Sequence, residues 1–172
     1  MRKRESIKRE HERAVASQLL EALQANTSFE RFGDPTKREP DVIYTYNGST
    51  LGIEVSTAYY GERDAQDEWE IATGERPLAP EEIRPSGVIG NPDQTIQDRV
   101  QTELDDKCAK VYAGSNEAWL CINLNAALSD AQSVAACAKE LQVPQRHRFA
   151  RIYLSYTAPE HEGGKYTAIR IY

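Results

Sequence analysis

The chain has 172 residues, of which 40% are hydrophobic and 28% charged, and carries a formal net charge of -6. That length supports one sizeable core rather than two ordinary domains, and the composition excludes a disordered chain. No apolar run approaches the roughly 20 residues needed to cross a bilayer, and the basic start, Met1-Arg2-Lys3-Arg4, lacks the apolar segment of a secretory signal. A cytoplasmic protein with no membrane association is expected.

The spacing of Ile7, Val15, Leu19, Leu20 and Leu23 predicts a helix over about 4–25, ending near Asn26, followed by a loop with Gly33, Pro35 and Pro40. Val42 to Tyr46 and Thr50 to Thr57 are rich in β-branched and aromatic residues and are joined by Asn47-Gly48, the strongest short signal for a hairpin with a type I′ turn. Residues 58–92, with four prolines, read as an irregular insertion: a lid, a binding loop or a dimer contact. Asn91-Pro92-Asp93 opens a second helix running to about Tyr112, and the strand Ala118 to Leu124 comes next. A short helix over about 130–141 precedes Phe149 to Tyr156 and Tyr166 to Tyr172, two alternating strands expected to pair as a C-terminal hairpin across Gly163-Gly164. Together these elements predict a single α/β domain over 1–172. Its central mixed β-sheet is flanked by helices, with a parallel crossover through the second helix.

In a two-residue hairpin the register follows from the turn. Stepping outward from Asn47-Gly48, Tyr46 faces Ser49, Thr45 faces Thr50, and Asp41 faces Glu54. Directly opposed residues project to one side with Cβ atoms about 5 Å apart, which brings two carboxylates together. A divalent cation or a raised pKa relieves the repulsion; alternatively Asp41 falls just outside the strand, after Pro40, and turns to solvent.

Helical wheels add two inward charges. With Val15 at zero, Glu12 falls at about 60°, within the stripe of Leu19, Leu23 and Leu20, whereas Glu10 and Glu21 fall on the opposite side. With Val100 at zero, Lys107 falls at about -20°, among Ile96, Leu104 and Cys108, and Lys110 lies at the edge of that stripe. Buried charges need partners. Either these residues share a polar site, or Glu12 and Lys107 form a structural ion pair, or the lysine head escapes to water. Cys108, Cys121 and Cys137 read as buried thiols. Without a Cys-x-x-Cys pair, any metal falls to carboxylates and is a hard cation such as magnesium. His11, His147 and His161 are scattered and read as surface residues. Basic residues cluster over 1–13 and at Arg146, His147, Arg148 and Arg151, either as phosphate contacts or as a solvated helix face and loop.

Pro40-Asp41 followed by Gly52-Ile53-Glu54-Val55-Ser56 resembles the PD-(D/E)xK signature of the restriction-endonuclease-like nuclease superfamily, with Ser56 standing where the signature has lysine. The resemblance implies an αβββαβ core over about residues 5–125, its third strand lying near Val88-Ile89 if present. It also implies that Asp41 and Glu54, with the carbonyl of Val55, hold Mg2+ or Mn2+. Lys107 takes the place of the missing lysine from the following helix, and Glu12 stands for the acid that many members carry on their first helix. The activity so implied is hydrolysis of phosphodiester bonds, with nucleic acid, DNA foremost, as partner. A homodimer is left open. The alternative is a module that kept the fold, lost hydrolysis and binds nucleic acid or a protein partner, with Tyr59, Tyr60 and Trp69 as its stacking surface.

Overall fold

A computed structural model describes residues 3–59, 70, 92–125, 131–158 and 165–172. The first helix, α1 (Lys3–Ala22), ends three residues before the sequence pattern suggests. The amide of Ala25 donates to the carbonyl of Leu20 and that of Gln24 to Glu21, while Gln24 takes a left-handed φ of 51°. This is the Schellman arrangement, with glutamine in the position glycine usually fills.

Three strands follow: β1 (Thr27–Phe32), β2 (Val42–Tyr46) and β3 (Ser49–Tyr59). β2 and β3 form the predicted hairpin, with Asn47 and Gly48 at positive φ and Tyr46 paired with Ser49, Thr45 with Thr50 and Val42 with Ile53. β1 is a correction to the expected loop. It is an edge strand, exposed at four of its six positions and broken by an irregularity between Phe29 and Arg31. Its sequence therefore lacks the alternating apolar signal of a half-buried strand. The strand suggested near Val88-Ile89, like Tyr60, Trp69, His161, Gly163-Gly164 and most of the insertion, lies outside the described residues.

Helix α2 (Pro92–Cys108) carries the chain to β4 (Glu117–Asn125), and α3 (Ala131–Glu140) leads to β5 (Arg151–Ala158) and β6 (Lys165–Arg170). One six-stranded sheet results, in the order β1-β2-β3-β4-β5-β6. It is mixed as expected: β3, β4 and β5 run parallel to one another, and antiparallel pairs flank them. Parallel strands covered on both faces become apolar at consecutive positions, as in Trp119-Leu120-Cys121-Ile122, all buried. On one face Leu51, Ile53, Val55, Trp119, Cys121 and Tyr153 pack with Val15, Ala16, Leu19 and Leu20 of α1. On the other, Leu120, Ile122, Ile152 and Leu154 pack with Ile96, Val100 and Leu104 of α2 and Val134 and Cys137 of α3. All three cysteines are buried free thiols, as predicted. Among the described residues no helix is long and apolar enough to cross a membrane.

A candidate carboxylate site at the open edge of β3

β2 is paired with β3 only from Ser49 to Ile53, whereas β4 accompanies β3 from Leu51 to Tyr59. No described strand covers the β2-side edge of β3 beyond Ile53. Asp41 sits at the mouth of this notch, one residue beyond the ladder, so the expected pairing with Glu54 is not a strand pair. It does not turn to solvent either: its Oδ2 accepts the amide of Val55 at 2.9 Å. Because the N–H and C=O of one strand residue project to the same side, the carbonyl of Val55 faces this edge too.

The loop before Asp41 is locked locally. Pro40 is buried over Gly52, where an added Cβ would stand 2.5 Å from the proline Cγ and 2.9 Å from Ser115 Oγ. The amide of Gly33 donates to the Asp41 carbonyl at 2.9 Å, and Glu39 holds Arg31 and the Asp34 amide. Pro40 and Gly52 thus act as a steric pair that aims Asp41.

Glu54 is buried on the α2 face, and Lys107 Nζ donates to its Oε1 at 2.6 Å. One turn earlier in α2, Glu103 accepts from the hydroxyl of buried Ser56, the residue at the signature's lysine position. Glu12 is buried at 7% exposure from the α1 side and is bound at 3.2 Å by Lys8, one turn back on the same helix. The Glu12 to Lys107 ion pair weighed from the wheels is therefore absent: Glu12 pairs with exposed Lys8 and Lys107 with Glu54.

Electrostatics tie the residues together. Burial pushes the Glu12 carboxyl up to about 7, with Asp41 and Glu54 adding to the rise and Lys8 opposing it. Burial and Asp41 likewise raise Glu54, and Lys107 only partly offsets them. Burial works against the charge of Lys107, but Glu54, Asp41 and Glu103 outweigh it, and the ammonium is held above its usual range. Burial is the first cause of the raised acids; beyond it, four carboxyls, Glu12, Asp41, Glu54 and Glu103, stand against two ammonium groups, Lys8 and Lys107, so acidic groups outnumber their counter-charges here.

Sequence reasoning missed Tyr112, Glu103 and Lys8. Lys8 and Glu103 were within reach, since each lies four residues before an inward charge. Tyr112 follows the end of α2, where a wheel no longer applies. Its ring packs on Phe149 at 5.1 Å. Its buried hydroxyl meets no hydrogen-bond partner at ordinary geometry among the described residues, yet it lies close enough to Glu54 for a looser contact; burial first, and Glu54 next, hold its proton on. Of the histidines, His11 is partly exposed with Nε2 3.5 Å from Thr57 Oγ1, and His147 is partly exposed beside Phe149 and Tyr172.

Among the described residues no group of three or more histidine, cysteine, aspartate or glutamate side chains stands close enough to hold a metal. The donors still suit a hard cation in type, because magnesium commonly uses one or two carboxylates and completes its shell with water and substrate phosphate. The excess of carboxyls over ammonium groups fits a cationic guest among these side chains. No family model, no curated protein and no solved structure matches the chain.

Proposed function

We propose that this protein is a metal-dependent nuclease that hydrolyses phosphodiester bonds of nucleic acid, DNA foremost, at the open edge of β3. The observation that carries the reading is the convergence of Asp41 and Glu54, with Lys107 bound to Glu54, at a strand edge where carboxylate charge exceeds its compensation. Among the long described elements from α1 to β4, the order helix, three strands, helix, strand is compatible with the αβββαβ core that the PD-(D/E)xK resemblance implies. In this reading Asp41 and Glu54, with the Val55 carbonyl, hold Mg2+ or Mn2+, which supplies Lewis-acid polarisation of the scissile phosphate. Lys107 exchanges its bond to Glu54 for one to the phosphate and stabilises the negative charge that develops there. Glu12, buried on the α1 side, would orient the metal's hydration shell.

The test is incubation of the purified chain with single- and double-stranded DNA and with RNA in magnesium or manganese. Cleavage is expected, and Asp41→Ala and Lys107→Ala should each slow it roughly a hundredfold or more. No cleavage of any substrate, or cleavage indifferent to Asp41→Ala, defeats the reading. One observation favours a second reading, a nucleic-acid-binding module without hydrolysis: Ser56 replaces the signature lysine and is engaged by Glu103. That module would bind oligonucleotides equally well with Asp41 and Glu54 replaced by alanine and would cut none.

A further inference from the structure

We propose that the ledge formed by α1 and β1 is a seat for single-stranded DNA, with Phe29 as the stacking platform and Arg13 and Arg9 as phosphate contacts. β1 is the outermost strand, and α1 leaves it partly uncovered, so that Phe29 keeps 40% of its surface exposed. Phe32 and Tyr44 fix the orientation of its ring through edge-to-face contacts at 5.4 and 5.8 Å. The guanidinium of Arg13 lies 5.3 Å from the Phe29 centroid, and that of Arg9 lies 5.9 Å from the Phe32 centroid.

Each guanidinium lies over a ring, Arg13 over Phe29 and Arg9 over Phe32; a base that stacks on Phe29 displaces Arg13 from the ring toward the neighbouring phosphate, which matches bases and phosphates to rings and cations. The arginines' own partners are neighbours on α1, Glu5 at 3.2 Å and Glu10 at 3.0 Å. Exposed pairs of this kind contribute little and exchange readily for phosphate. Bases paired within a duplex have no free face to offer Phe29, which selects a single strand. Glu12, between Arg9 and Arg13 in sequence, turns inward from the same helix that lines the ledge. The proposal rests on the nuclease reading for the fate of the strand, whereas binding itself needs no metal.

Fluorescence anisotropy of the full chain in a chelating buffer tests this, with a labelled oligothymidine of roughly 12 nucleotides, a duplex and an abasic strand of equal length. The oligothymidine is expected to bind more tightly than either comparison. Phe29→Leu, which keeps an apolar side chain but loses the ring face, should weaken it roughly tenfold. Arg13→Gln should weaken it and reduce the slope of log affinity against log salt by about 0.7. Equal affinity for the abasic strand or the duplex, unchanged binding in both variants, or no binding overturns the proposal. With the metal chelated, such a failure leaves metal-dependent cleavage standing, and absence of cleavage leaves the binding standing.

Discussion

The Glu54 side chain is only 7% exposed, and its close charged partner, Lys107, is 16% exposed. Removing the lysine strands a carboxylate where water hydrates it poorly. Lys107→Met is therefore expected to destabilise the fold by about 2–3 kcal/mol, less than a fully buried pair would lose because the lysine keeps some solvent. Urea unfolding at neutral pH measures it, and a change under about 0.5 kcal/mol would mean the pair contributes no more than a surface contact. Glu12 makes the opposite kind of prediction. Its carboxyl is raised from 4.5 to about 7, so the folded chain binds this proton more tightly than the unfolded chain. Its ionisation opposes folding fully above pH 7 and progressively less from pH 7 to 4.5, and that effect is gone below. Stability from this group therefore falls as pH rises through that window. Glu12→Gln should gain on the order of 2–3 kcal/mol at pH 8 and flatten the profile between pH 4.5 and 7. Parallel profiles for wild type and variant would contradict the assignment.

Among the elements, the hairpin shows how far local rules reach. Asn47-Gly48 forecast both the turn and the register from Tyr46 to Val42, because positive φ at two consecutive positions leaves few alternatives. The same rule failed at the next step, where Asp41 leaves the strand, since what aims it is tertiary: Pro40 seated on Gly52. Gly52→Ala should push Pro40 and Ser115 aside, cost about 1–3 kcal/mol and weaken any ligand held by Asp41. Thermal unfolding together with Mn2+ titration calorimetry checks both parts; an alanine variant as stable as wild type would show that the loop yields freely. β1 was illegible for a different reason. An exposed edge strand gains its stability from hydrogen bonds to β2 and needs no apolar alternation.

For the molecule as a whole, the α/β class, the mixed sheet and the parallel crossover could be read from the order and period of the elements. So could the inward direction of Glu12 and Lys107, because a charge inside an apolar stripe is conspicuous on a wheel. Which charge meets which could not, since the wheels place each helix alone. Only the packing of α1 and α2 on opposite faces of β3 assigns Lys107 to Glu54 and leaves Glu12 to Lys8. That division leaves the edge of β3 electronegative, and on this the proposed activity turns. The most direct measurement is anomalous diffraction from a crystal soaked in manganese chloride. One manganese peak is expected between the carboxylates of Asp41 and Glu54, with Lys107 Nζ within reach of the ion's outer shell. Asp41 still bound to the Val55 amide, Glu54 still bound to Lys107, and no manganese peak at this edge would contradict it.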